Sequence, residues 1–266
     1  MTFEHINETA RNIYNDILER KVFLPIKDKD GTLIALDDAY DIQDELYKIF
    51  QEETDFGPIS GYKIALTSDV MQKLCGVNNP VFGKAFTKQI YKSPYSVRST
   101  DYIRLGLEFE VAFELGQDIL SAVPPLTIET IGDYIKSCMP AFEIIDDRNA
   151  DYKTLDAASI LMDRCWCAGI VLGAAVTDWS SLDLAHLSAT HYRNGVLSAS
   201  SITGDALGHP LEGLVAIVNH ERQRGNALKK GDIFITGSSQ KTEFAEAGDF
   251  FEFKIDGLGS VSIQIE

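Results

Sequence analysis

Leu105-Gly-Leu-Glu-Phe-Glu-Val-Ala-Phe-Glu-Leu115 alternates along its length and is rich in large apolar residues, which predicts a strand. With a side-chain period of two, Glu108, Glu110 and Glu114 share one face with Ala112. Leu107, Phe109, Val111 and Phe113 share the other. Glu108 and Glu110 repel each other unless something positive lies between them. A hard divalent cation held by oxygen ligands is the natural mediator. A strand whose polar face is simply wet would show the same alternation, so this segment alone leaves both readings open.

A second segment, Met139-Pro-Ala-Phe-Glu-Ile-Ile-Asp-Asp-Arg148, favours the cation. Glu143 is the one charged residue within Met139–Ile145. A lone carboxylate is costly to bury unless it is paired, protonated or bound to metal. Glu108, Glu110 and Glu143 together offer three oxygen ligands and leave positions for water and substrate, as a Lewis-acid catalyst requires. Such an open site suits Mg²⁺ or Mn²⁺ better than Ca²⁺, which prefers a fuller cage.

The remaining composition sets bounds. At 266 residues with 45% hydrophobic content, the chain can bury a sizeable core. No run of about 18 apolar residues is present, so no transmembrane helix is expected, and the acidic balance disfavours an anionic membrane as a partner. The N-terminus lacks the pattern of a signal peptide, which makes a cytoplasmic location the expectation. The net charge of −16, from 40 acidic and 24 basic residues, disfavours nucleic acid as a partner. A small carboxylic-acid substrate would need a local positive patch, which a metal and one or two basic side chains could supply. Cys75, Cys138, Cys165 and Cys167 form no disulfide framework. Cys165-Trp-Cys167 has no second pair to complete a zinc site, and buried small hydrophobes are the expectation for all four.

Apolar spacing predicts helices over 3–21 and from Leu36 onward, with Asp37 as a cap, and a short one over Ser68–Leu74. Further helices are expected near 127–138 and 211–223, the second weakened by Gly213. Strands are expected at Gly61–Leu66, 104–115, 168–172, 189–193, 232–236, 250–254 and 260–265. Helices first and strands later, without βα alternation, predict an α+β fold rather than a Rossmann or barrel plan.

Several motifs recur in order: Asp38-Ala-Tyr-Asp-Ile-Gln43, Gly61-Tyr-Lys-Ile-Ala-Leu-Thr67, Pro80-Val-Phe-Gly83, Glu108-Phe-Glu110, and Pro140 with Glu143. Leu207-Gly-His-Pro210, Gly231-Asp-Ile-Phe-Ile-Thr-Gly237 and Gly257-Leu-Gly-Ser260 follow. From about residue 10 to the C-terminus the chain resembles the 2-keto-4-pentenoate hydratase and 4-oxalocrotonate decarboxylase branch of the fumarylacetoacetate hydrolase superfamily. The resemblance implies a mixed β-roll, like the fumarylacetoacetase C-terminal domain. A helical N-terminal region (1–60) would precede a β-rich catalytic domain (61–266). It implies a metal-dependent lyase acting on 2-oxo or 2-hydroxydienoic acids in the meta-cleavage catabolism of aromatic compounds. Hydratase comes first, 2-oxo acid decarboxylase second, and a catalytically divergent binding protein is the non-enzymatic alternative. A homodimer or larger homo-oligomer is expected.

The same resemblance places Lys63 at the metal site as the catalytic lysine, and Thr236 and Ser238 on a substrate-binding loop. By their residue types alone, Lys63 could face solvent on an edge strand, and Thr236-Gly-Ser238 could be an ordinary turn. His209, a lone histidine ahead of a proline, is expected to cap or pack. Two departures concern the pocket. Val81 stands where hydratases of the family carry aspartate and decarboxylases an apolar residue. Asp163-Arg164-Cys165-Trp166 stands where both carry Asp-Asn-Ala-Ser. Asp163 is kept, and Arg164 is expected either to clamp a second substrate carboxylate, to pair with Asp163 or Asp147, or to point to solvent. Asp146-Asp147-Arg148 is expected to close a local ion-pair turn, and Glu114 to be solvated or lysine-paired.

Overall fold

The computed structural model describes all 266 residues. Helices α1 (Phe3–Leu18) and α2 (Leu36–Glu53) come first, then β1 (Ile59–Ala65), α3 (Asp69–Leu74) and β2 (Val81–Phe86). Short strands β3 (Ile90–Lys92) and β4 (Tyr95–Val97) lead into β5 (Leu105–Leu115) and β6 (Ile135–Asp146). Next are α4 (Ala157–Met162), β7 (Cys167–Leu172), β8 (Ser188–Arg193), β9 (Val196–Ile202) and α5 (Pro210–Gln223). The chain ends with β10 (Ile233–Ser238), β11 (Glu243–Phe244), β12 (Phe250–Ile255) and β13 (Gly259–Ile265).

A mixed sheet runs β2-β1-β10-β5-β6-β7-β3, with β11 paired beside β5. Its centre is the antiparallel β5–β6 ladder, which sets Glu108 opposite Glu143 and Glu110 opposite Ala141. β1 joins through β10 in parallel, with Lys63 opposite Ile235 and Ile235 opposite Ala112. The sheet curls until its ends meet. A Cβ at Gly61 on β1 would lie 3.2 Å from Ile170 of β7 and from Ile90 of β3. Small and medium residues such as Ala85, Ala112, Ala141 and Ile170 fill the inside of this roll. A second sheet, β4-β13-β12-β8-β9, covers the outer face. Phe109, Phe142 and Phe253 meet there in the largest core, to which α5 adds Leu214, Ile217 and Val218. The apolar face of the Leu105–Leu115 stretch therefore belongs to the core between layers, and its acidic face to the inside of the roll.

Helices α1 and α2 close no core by themselves. Ala10, Ile13, Ile42, Leu46 and Phe50 pack with α4, with Val81 and Phe86 of β2, and with Cys165 and Trp166. Asp37, expected as a cap, lies in the first turn of α2, and the N-cap residue is Ala35. His209 caps α5 as expected, its Nδ1 accepting from the Leu211 amide at 3.0 Å. All four cysteines are buried.

The helix expected near 127–138 is absent. A single 3₁₀ turn, Ile131–Tyr134, gives way to β6 at Ile135. Lys136 Nζ and Ser137 Oγ bond the Glu114 carboxylate at 2.8 and 2.9 Å, and Cys138 pairs with Phe113 in the ladder. The ladder to β5 has eleven paired positions and takes Ile135, Ser137 and Cys138 from this segment, which outweighs a weak local helix preference among β-branched residues. The expected lysine partner of Glu114 is thus Lys136.

Candidate active site

Glu108, Glu110 and Glu143 converge inside the roll. They can each present one carboxylate oxygen so that all three atoms lie within 4.8 Å of one another. Glu110 and Glu143 are buried, whereas Glu108 is partly open to a cavity of about 760 Å³. Lys63, 2% exposed, projects from β1 onto the same face, its Nζ 3.0 Å from Glu143 Oε2. That approach has charge contact without hydrogen-bond alignment, since both Glu143 oxygens lack a hydrogen-bond donor. The Lys63 ammonium instead donates to the Cys165 carbonyl at 3.2 Å.

Each acid is held differently. Glu108 Oε1 accepts from Thr242 Oγ1 at 2.8 Å. Glu110 Oε2 accepts from the Gly237 amide at 2.6 Å, while its Oε1 has no partner. Gly237 has φ +102°, a conformation that turns its N–H onto the carboxylate and that a side chain would strain. Three buried carboxylate oxygens without donors, against one ammonium, are an unfinished charge arrangement. Hard oxygen donors at this spacing fit a divalent cation of the Mg²⁺, Mn²⁺ or Ca²⁺ kind.

Proton affinities agree with that imbalance. Burial first, and then Glu143 and Glu108, push the Glu110 pKa well above the usual carboxylate range. Burial raises Glu143 to about 8, Lys63 opposing and Glu108 adding to the rise. For Lys63, burial favours loss of the proton, but Glu143 and then Glu108 outweigh it and raise its pKa. Lys63 is therefore a fixed positive charge rather than a base at neutral pH. Burial also pushes the Cys165 thiol up to about 12 and Cys167 well above its ordinary range, so neither is poised as a nucleophile.

The other expected site residues separate. Thr236 is buried and donates to the Val111 carbonyl at 3.0 Å, so its hydroxyl is spent on β5. Ser238 lines the cavity, its Oγ donating to the Gln240 carbonyl at 2.8 Å and accepting from the Phe109 amide at 2.9 Å. Neither Asp163 nor Arg164 reaches the cavity. Asp163 is locked to Arg148 at 2.9 Å in a buried pair. Arg164 turns its guanidinium onto the Phe50 ring, 4.4 Å from the centroid. Arg164, Cys165 and Trp166 have φ of 57°, 51° and 61°, three consecutive left-handed residues that reverse the side-chain directions expected of an extended segment. Nor is Asp146-Asp147-Arg148 a local ion-pair turn. Asp147 pairs with Arg104 and Arg148 with Asp163, because the buried turn recruits partners from distant segments. Sequence reasoning missed the Gly237 amide, the Thr242 hydroxyl and the Cys165 carbonyl. Gly231–Gly237 was a recognisable motif, but nothing about Thr242 or Cys165 marks either one.

Residues 78–266 match the fumarylacetoacetate (FAA) hydrolase C-terminal family, and the chain belongs to that family. Over 98% of its length it is 28% identical to the 2-hydroxyhexa-2,4-dienoate hydratase of Comamonas testosteroni, covering 97% of that protein. It is 29% identical to the 2-oxo-hept-4-ene-1,7-dioate hydratase of Escherichia coli over 86% of both chains. The solved 4-oxalocrotonate decarboxylase from Pseudomonas putida G7, complexed with magnesium and adipate, superposes with a TM-score of 0.90. It is 23% identical, with 100% of this chain and 99% of that one covered, and it shares the fold. The expected α+β roll with N-terminal helices is thus the fold of this family.

Proposed function

We propose that the chain is a divalent-metal-dependent lyase, in first place a hydratase, acting on 2-oxo or 2-hydroxydienoic acids of aromatic-compound breakdown. The observation that carries this is the Glu108–Glu110–Glu143 cluster with Lys63 beside it, opening on a cavity. Curated relatives that are hydratases along nearly the whole chain support the reaction class. Mg²⁺ is the cation of choice, with Mn²⁺ as a substitute.

The three glutamates would hold the cation. When bound, it would supply a Lewis acid for the substrate's carboxylate and adjacent oxygen and offset the charge of an enolate. Thr242 and the Gly237 amide fix the directions of Glu108 and Glu110. Lys63, pinned by the Cys165 carbonyl, keeps a positive charge where substrate charge develops, and it can donate a hydrogen bond there. The roll and the helical core exclude bulk water from Lys63 and Glu143, which strengthens these interactions.

Val81, which favoured decarboxylation, is 1% exposed within the helical core and does not line the cavity. The decarboxylase reading therefore gains no direct contact from it. Assembly into a homodimer or larger oligomer is supported by exposed Val196, Leu197 and Ile202 on edge strand β9. No helix is long and apolar enough to cross a membrane. The test is loss of ultraviolet absorbance by a 2-hydroxydienoate, abolished by a chelator and restored by Mg²⁺. Absence of turnover of any such acid with metal present, while the protein still binds Mg²⁺, would leave a binding protein of the same fold.

A further inference from the structure

The cavity is much larger than its polar end requires. At about 760 Å³ it is of a size that encloses drug-sized ligands. Lys63 and Glu108 line it at the carboxylate cluster, and Ser238, Ser239 and Thr242 bring hydroxyls. Most of the remaining wall is apolar: Leu66, Met71, Ile145, Ile160 and Trp166. Tyr152 also lines it, but its hydroxyl already donates to Asp147 at 3.1 Å. Trp166 is a firm part of this wall. It is 8% exposed, its ring meets Phe23 edge-on at 5.3 Å, and its backbone belongs to the left-handed turn.

We propose that this cavity selects a substrate whose acid head meets the glutamate cluster and whose tail is uncharged and longer than that of a five-carbon acid. Trp166 and Met71 are the specificity-determining residues of the tail site. The inference rests on the functional reading above and adds the substrate's distal half. Arg164, the cation nearest in sequence, is turned onto Phe50 outside the cavity. The other lysine of the lining, Lys241, is exposed and stays hydrated. A second carboxylate at the tail would lose water and meet only neutral donors, the Trp166 Nε1–H, which is buried without a partner, and the Thr67 and Ser68 hydroxyls, with no buried cation to offset its charge.

Binding of unreactive 2-oxo acids to the Mg²⁺-loaded protein, measured by calorimetry, tests this apart from catalysis. From 2-oxobutanoate to 2-oxooctanoate, Kd should fall by about fourfold per added methylene, the equivalent of about 0.8 kcal/mol each. 2-Oxoadipate should bind roughly tenfold more weakly than 2-oxohexanoate. Met71→Ala, on the outer helix α3 which has no buried residue, should flatten the chain-length series without unfolding the protein. Trp166→Leu should do the same where it folds. Affinity independent of tail length, or 2-oxoadipate binding as tightly as 2-oxohexanoate with the advantage lost in Lys241→Ala, overturns the tail site and leaves the lyase reading standing. If even 2-oxobutanoate fails to bind, both fall.

Discussion

At Lys63 burial and charge act in opposite directions. Its proton is retained only because Glu143 and Glu108 are close, so the lysine and the acids depend on each other. Lys63→Met should lower kcat by about 10²–10³ without weakening Mg²⁺ binding, since the ammonium serves the substrate. Near-normal kinetics in that variant would remove it from the site. The acids themselves make the metal-free protein pH-sensitive. An unfolded glutamate titrates near about 4.3, whereas folded Glu143 holds its proton up to about 8 and Glu110 also binds its proton more tightly. Through that window the unfolded chain has lost protons that the folded one keeps, so stability falls as pH rises. The raised pKa of Lys63 acts in the same direction, but only above the ordinary lysine range, outside this window. A cation competes with those carboxyl protons, so the Tm gain from Mg²⁺ over a chelator should be larger at pH 8 than at pH 6. Equal gains at the two pH values would show that these protons are not displaced. Glu110→Gln removes the proton uptake that folding imposes on this buried acid and keeps the acceptor for Gly237. It should raise the metal-free Tm, erase the Mg²⁺ gain and stop turnover, read by thermal melts beside the absorbance assay.

Among the elements, the legible ones were those whose pattern matched their final partners. Leu105–Leu115 shows its period of two because one face meets Phe142 and Phe253 while the other carries the acids. Glu143 could be singled out because a charge inside Met139–Ile145 has no cheap local explanation. Residues 127–138 misled because their spacing is compatible with a helix, whereas the ladder to β5 is a long-range fact invisible locally. Arg164 and Trp166 were hidden for a similar reason. No residue type in Asp163–Trp166 announces three left-handed residues, so a guanidinium turned onto Phe50 could not be foreseen. Gly213 was read as a flaw in α5, but it marks a close approach. A Cβ there would fall 2.6 Å from the Thr236 carbonyl of β10. Gly213→Ala should therefore destabilise by about 1–3 kcal/mol despite its better helix propensity, measured by denaturant unfolding. A stabilised variant would mean that α5 can shift without cost.

Across the whole molecule, the cavity lies where two bodies of packing meet. Lys63 and Glu108 belong to the rolled sheet, whereas Leu66, Ile145, Cys165 and Trp166 are members of the core that α1, α2 and α4 complete. No residue of α2 lines the cavity, yet its Phe50 and Ile42 share that core with the cavity wall. A ligand that binds only when the wall is assembled draws its affinity from both bodies and stabilises both. The amide protons of α2 are then a remote gauge of occupancy. Their exchange with deuterated solvent should slow when Mg²⁺ and a 2-oxo acid bind, while amides of edge strand β9 keep their rates.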